Sequence, residues 1–259
     1  MGTSFTSDRF TALEPHAMHV SLLQGPAFAA WCAHERSTGS VVALRAVHSS
    51  ELPPLSGSLA DPGSASSIVL PEWSVLVPDG ALLEGTEAVH LRAAFGHEPL
   101  GVLRRDPVEA LAAQSIHVHE PGAESQAMAQ MPLARPLALQ ALLVRAAMSR
   151  RAERDVLLLH LGTDRMDVVL ATHGSIALSN GFPVRTPEDA LYFALLATER
   201  TKHQPQDLQV LFCGPQAHDN VIALLERYFE HCAPAEPQMP LAIERPERWL
   251  ALTEQFACV

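Results

Sequence analysis

From Val156 to Gly214 the chain sets apolar runs and turn residues in an order that few folds satisfy. Val156–Leu161 is apolar apart from His160 and leads into Gly162-Thr163-Asp164. Met166–Ala171 returns, and Ser175–Ser179 follows the His173-Gly174 turn, so the spacing predicts a three-stranded antiparallel meander. A helix over Pro187–Thr201 comes next. Thr186 can cap it, Pro187 sits where no amide donor is wasted, and Glu188 and Asp189 face the positive helix end. Its interior, Ala190–Ala197, is apolar nearly all round, which predicts burial on several sides. Leu208–Cys213 reads as a strand ending at Gly214-Pro215, parallel to the first strand because a crossover helix precedes it. Asn220–His231 reads as an amphipathic helix, Pro234–Pro240 as a loop and Leu241–Leu252 as a closing segment.

The first half repeats this order in weaker form. Met18–Leu23, Ala27–Ala33 and Val41–Val47 read as a second meander, turning at Gln24-Gly25-Pro26 and at Ser37–Ser40. Pro53–Ser67, rich in Pro, Gly, Ser and Ala, has no periodic face and reads as a loose connection in place of a helix. Val75–Asp79 reads as a strand before a short helix near Gly80–Leu83, and Thr86–Phe95 as a helix capped by Thr86. Leu100–Leu103 and Ser115–His119 read as strands, and Pro121–Pro132 and Pro136–Arg151 as helices. The last has a broad apolar face and ends in Arg145, Arg150 and Arg151, solvated charges that suit the negative helix end. No residue-level repeat is visible, so internal duplication is inferred from element order alone.

Charge narrows the partners. The chain of 259 residues carries a net charge of −11 with only 18 Lys and Arg, which sets it against a phosphate backbone and excludes nucleic acid. No apolar run reaches the roughly 20 residues that span a bilayer. Met1–Phe10 lacks the apolar centre of a signal peptide. Cys32, Cys213, Cys232 and Cys258 are too scattered for a zinc or redox pair, so they are read as free thiols of a cytoplasmic protein.

Three antiparallel strands, a helix and a returning strand resemble the ribonuclease H-like lobe from which actin-like ATPases are built. The expected fold is α/β with mixed sheets, one lobe over residues 1–120 and a second over residues 121–259. Ser179–Phe193 carries a more specific likeness. Asn180, Phe182, Thr186, Glu188-Asp189 and Tyr192-Phe193, followed by Leu211–Gly214, resemble the pattern of a bacterial domain-of-unknown-function family, found mostly in Bacteroidetes, with an actin-like ATPase fold. Val75–Asp79 is similar to that family's Val-Pro-Glu segment before a short helix. The resemblance implies a fold and no activity, since the family has none established to carry over.

An ATPase of this fold holds nucleotide between its lobes, using free amides at hairpin turns, glycine where backbone approaches the ligand, and carboxylates near magnesium. Here each element is weakened. Ser21–Pro26 has no acid, and Pro26 has no N–H. His160 stands where a strand-end acid would help, and Asp164 is shifted into the turn. Pro215 removes a donor beside Gly214. The chain is therefore read as a catalytically degenerate actin-like protein that binds or scaffolds another protein. The alternative is an atypical ATPase using ATP with magnesium, in which Gly162, Thr163, Asp164 and Gly214 would line the cleft.

Other constellations are weaker. His117 and His119, with Glu120 next, lie on one face of a strand expected to be exposed, a spacing that can bind metal or mean nothing. His16 and His19 are poorly placed to complete such a site. Ser179, His173 and Asp189 would supply hydrolytic groups, but no Gly-x-Ser-x-Gly elbow exists. Asn180-Gly181 reads as a turn closing the third strand, and Glu188-Asp189 as helix-capping charge.

Overall fold

The computed structural model describes residues 2–51, 53–55, 59, 61–151 and 153–259. In chain order the first half comprises β1 (Thr3–Thr6), β2 (Met18–Gly25), β3 (Phe28–Glu35), β4 (Val41–Val47), β5 (Ser64–Val69) and β6 (Glu72–Pro78). These lead to α1 (Glu87–Phe95), β7 (Arg104–Val108), β8 (Ala113–His119), α2 (Pro121–Gln130), β9 (Arg135–Pro136) and α3 (Leu139–Arg150). The second half comprises β10 (Asp155–Leu161), β11 (Arg165–Thr172), β12 (Ser175–Pro183), α4 (Pro187–Arg200), β13 (Leu208–Cys213), α5 (Asp219–Leu225), β14 (His231–Pro234) and α6 (Leu250–Thr253).

The duplication is plain in the sheets. The first runs β1-β4-β3-β2-β5-β9 and the second β12-β11-β10-β13-β14. Without β1 the two orders are the same: an antiparallel meander whose first strand pairs in parallel with a later strand, which pairs in parallel with another. The chain is thus a mixed α/β protein of two actin-like lobes. A three-stranded antiparallel sheet, β6-β8-β7, is inserted between β5 and β9. The first sheet reaches to Pro136, so the division expected at residue 120 falls among elements that pack on that sheet.

Strands buried on both faces read as continuous apolar runs. On β10, Leu157, Leu159 and Leu161 pack outward with Ala190, Ala194 and Ala197 of α4. Val156 and Leu158 pack inward with α3 and with Leu250 and Leu252 of α6. Met18, Val20 and Leu22 of β2 pack outward with Ala127 of α2. α3 is thus the shared centre, buried along Leu139, Leu142, Leu143, Ala146 and Ala147.

Several expectations are corrected. The end of the expected loose connection, Ser64–Ser67, belongs to the strand β5; residues 56–58 and 60 of that region lie outside the described residues. Its serines hid it, because Ser66 is wholly buried and satisfied by side chains instead of by water. The strand expected at Leu100–Leu103 is Arg104–Val108, and the polar N-terminus supplies β1. Asn180 and Gly181 continue β12 and close no turn. The helix expected to reach His231 ends at Leu225, and His231 opens β14. The helix expected from Pro136 begins at Leu139, and its arginines are engaged: Arg150 pairs with Glu254, and Arg151 donates to the Thr172 carbonyl at 2.8 Å. α4 buries only the Ala190–Ala194–Ala197–Thr198 face and leaves Tyr192 60% exposed. Thr86 caps nothing and donates instead to the Leu83 carbonyl.

Candidate functional site

Where the two meanders face each other, a cavity of about 420 Å³ opens between the β2–β3 turn and the β10–β11 turn. Pro26, Phe28, Leu70, Pro71, Trp73 and Phe95 line it from the first half. Gly162, Thr163, Asp164, Arg165, Asp167 and the Gly181–Pro183 end of β12 line it from the second.

The first turn is filled with hydrocarbon. A Cβ at Gly25 would lie 2.5 Å from the Phe28 ring, so this glycine makes room for an aromatic side chain. Pro26 adds a residue with no N–H, and Leu70 and Pro71 extend the apolar wall. Gln24, which ends β2 before the glycine, is buried and donates to the Ser50 carbonyl at 2.8 Å.

At the second turn one amide and one acid are engaged within the chain. The Gly162 N–H donates to the Arg165 carbonyl at 2.8 Å. Arg165 sends Nε and Nη2 to Asp167 Oδ1, each at 2.7 Å, and Nη1 to the Glu72 carbonyl at 2.9 Å, tying the second sheet to the inserted one. The Asp167 charge is therefore neutralised inside the chain. His160 is wholly buried on the α3 side of β10, 3.8 Å from Asp167, and neither ring nitrogen has a hydrogen-bond partner. The Thr163 hydroxyl is likewise enclosed and unpaired. Asp164 is exposed, and its backbone carbonyl accepts from Val184 at 3.1 Å.

Gly214 lies apart from the other three sequence-selected residues and does not line the cavity. At φ +100°, with a Cβ position 2.5 Å from the Leu161 carbonyl oxygen, it lets the loop after β13 lie directly on the end of β10. Its N–H donates to the Glu247 carbonyl at 3.2 Å. Gly162, Thr163 and Asp164 are brought together on the cleft; Gly214 serves backbone packing.

Magnesium triphosphate is a poor fit for these walls. It needs several free amides for its phosphate oxygens and polar walls around its charge. The cleft offers aromatic rings, three prolines, an acid neutralised by arginine, and one exposed carboxylate that repels phosphate.

His117 and His119 prove buried, contrary to the exposed strand expected, with ring centroids 5.0 Å apart. His119 Nε2 donates to the Leu137 carbonyl at 3.2 Å and lies 3.6 Å from Glu72. Glu72 accepts from the Leu139 amide at 2.6 Å and the Gln140 amide at 3.3 Å, which anchors the start of α3. Burial works to raise its pKa, but the His119 hydrogen bond and the charges of both histidines bring it down to about 2. Burial also lowers the pKa of His117. Among the described residues no three His, Cys, Asp or Glu side chains group as a metal site. The hydrolytic trio is dispersed. His173 lies 3.8 Å from Asp155, Asp189 closes the α4 capping box with Thr186, and Ser179 pairs with Val169 mid-strand.

Sequence reasoning missed Phe28, Trp73, Phe95, Arg165 and Asp167. The Arg165–Asp167 pair carried a signal, since residues two apart on a strand share a face.

Two lobes of the same strand order around a cleft define the actin-like fold. Solved structures agree. A Bacteroides thetaiotaomicron protein with actin-like ATPase fold and unknown function superposes with a TM-score of 0.74, covering 98% of this chain and 100% of its own at 10% identity. A PilM–PilN type IV pilus biogenesis complex gives 0.55 at 12% identity, covering 92% and 98%. The ethanolamine utilization protein EutJ from Carboxydothermus hydrogenoformans gives 0.50 at 12% identity, covering 93% and 89%. The chain belongs to the family described as Protein of unknown function (DUF3822), whose model matches residues 68–232. No curated protein sequence matches it significantly.

Proposed function

We propose that this chain is a non-enzymatic binding protein that uses the actin-like fold to hold a protein partner, and not as an ATPase. One observation carries the reading: the cleft between the lobes is walled by Phe28, Trp73, Phe95, Phe182 and three prolines, an apolar lining for a polyanionic triphosphate. Two further facts support it. The PilM–PilN structure is a complex in which a protein of this fold is found with another protein, although that likeness speaks to fold alone. The cysteines Cys32, Cys213, Cys232 and Cys258 are all free, which suits the reducing cytoplasm in which we place it.

The competing reading is an atypical ATPase using ATP with magnesium, and the position of Gly162, Thr163 and Asp164 on the cavity favours it. A thermal-shift titration with Mg-ATP separates the two, because a ligand bound only by the folded chain raises its melting temperature. The binding-protein reading predicts an unchanged curve at millimolar Mg-ATP. A rise of several degrees overturns it.

A further inference from the structure

Aromatic rings and an unpaired carboxylate meet in the cleft. Phe28, Trp73, Phe95 and Phe182 line it; Phe28 is buried and Phe182 stacks on Phe193, so Trp73 and Phe95 are the half-buried rings whose negative faces can attract ammonium and guanidinium groups. Arg165 is committed to Asp167 and to the Glu72 carbonyl, so it cannot neutralise the remaining acid. That acid is Asp164, exposed at the mouth, with no hydrogen bond or ion pair to its carboxylate among the described residues. The cleft's own charges therefore leave one negative unit uncompensated, on a chain of net charge −11 that draws cations toward it.

The shape of the wall indicates how the cation arrives. Gly181, Phe182 and Pro183 form one side of the cavity and are the end of β12. Among the described residues β12 is an edge strand with β11 on one side only. An extended peptide that pairs along such an edge gains backbone hydrogen bonds from the strand and specificity from a side chain in the adjoining pocket. The Gly181 N–H is bonded at 2.9 Å by the neighbouring Asn180 side chain, a local bond that an added strand would displace.

We propose that the cleft captures a lysine or arginine side chain from an extended segment of a partner protein, with Trp73 and Phe95 stacking on the cation and Asp164 pairing with it. This rests on the reading of the chain as a binding protein and adds the chemistry of the partner.

The test is selection of random twelve-residue linear peptides on the full chain, followed by titration of the enriched synthetic peptides against wild type, Asp164→Lys and Trp73→Ala. Melting temperatures of both variants establish that they fold. The proposal expects enriched peptides with a lysine or arginine beside apolar residues. It expects Asp164→Lys and Trp73→Ala each to weaken them about tenfold or more. Replacing the peptide's basic residue by glutamate should abolish binding. Enriched peptides without a basic residue, equal binding by Asp164→Lys, or no saturable binding from the library each overturn it. If Mg-ATP stabilises the chain and displaces the peptides, the binding-protein reading fails as well. If Mg-ATP does nothing and the peptides ignore Asp164, only the cation proposal fails.

Discussion

β2 and β10 hold the same place in their sheets, each the first strand of a meander and each bonded to a parallel neighbour, but they are built from different residues. β10 is apolar but for His160 and packs leucines against α4 on one face and α3 on the other. β2 buries His19, Ser21 and Gln24 among its apolar residues. Those polar groups are answered from far along the chain. His19 pairs with Ser64 at 2.9 Å and Ser66 at 3.0 Å, Ser66 donates to Gln255 at 2.9 Å, and Gln255 donates to the Leu22 carbonyl at 2.9 Å. His34 of β3 donates to the Thr253 carbonyl at 2.9 Å and stacks on Phe256. The second lobe is held by apolar packing, with α3 and α4 close in sequence and α6 added from the C-terminal segment. The first is closed by a polar network that the C-terminal segment completes, and in which Gln24 Oε1 alone of the His19, Ser66, Gln255 and Gln24 side-chain polar atoms is left buried without a partner among the described residues.

Acid should break this comparison most strongly. Burial first, then the neighbouring His34 and Arg36, lowers the His19 pKa to about 3, and burial lowers that of His34 to about 4. Below about 6.5 the unfolded chain binds protons that the fold refuses, so stability is complete above that pH and falls toward pH 4 and pH 3, by several kcal/mol in all. Urea unfolding at pH 7, 5 and 4 measures the loss. His34→Gln should flatten the profile, and an unchanged slope in that variant would remove the histidine pair as its source.

Next in size is Glu72→Gln, which strips charge from two hydrogen bonds to the start of α3 and should cost about 3 kcal/mol. Asp106→Asn, with the Ala138 amide just before α3 and the exposed Arg135 as partners, should cost less when both are measured by chemical denaturation. Gly214→Ala combines positive φ with a Cβ against backbone and should cost about 2 kcal/mol or more. Smallest is the contrast of two threonines. Thr186→Ala removes the α4 capping box and should cost about 1 kcal/mol, whereas Thr86→Ala, which caps no helix, should fall within about 0.5 kcal/mol. Equal effects would show that the two lobes begin their helices alike.

Much of the second lobe was legible in the sequence because its code is local. Val156–Leu161, Met166–Ala171, the Thr186-Pro187 helix start and Leu208–Cys213 each declare themselves by periodicity or capping, and the parallel pairing of β10 with β13 follows from the helix between them. β5 and β9 were hidden, the one by serines whose partners lie elsewhere in the chain, the other by its two-residue length. In the cleft, the residue without an N–H at Pro26 and the histidine in place of an acid at His160 could be read from the sequence. The aromatic wall was not, because Phe28, Trp73, Phe95 and Phe182 come from separate elements that only the tertiary fold brings together. Gly214 looked like a ligand-facing glycine, and only the packed backbone reveals its contact with Leu161.

The central claim is that the cleft's walls reject magnesium triphosphate. Isothermal titration of Mg-ATP into the full chain addresses it directly. The account predicts no heat of binding up to about 1 mM nucleotide, a dissociation constant that would correspond to roughly −4 kcal/mol. A saturable one-to-one isotherm below that concentration, lost on Gly162→Val, would contradict it.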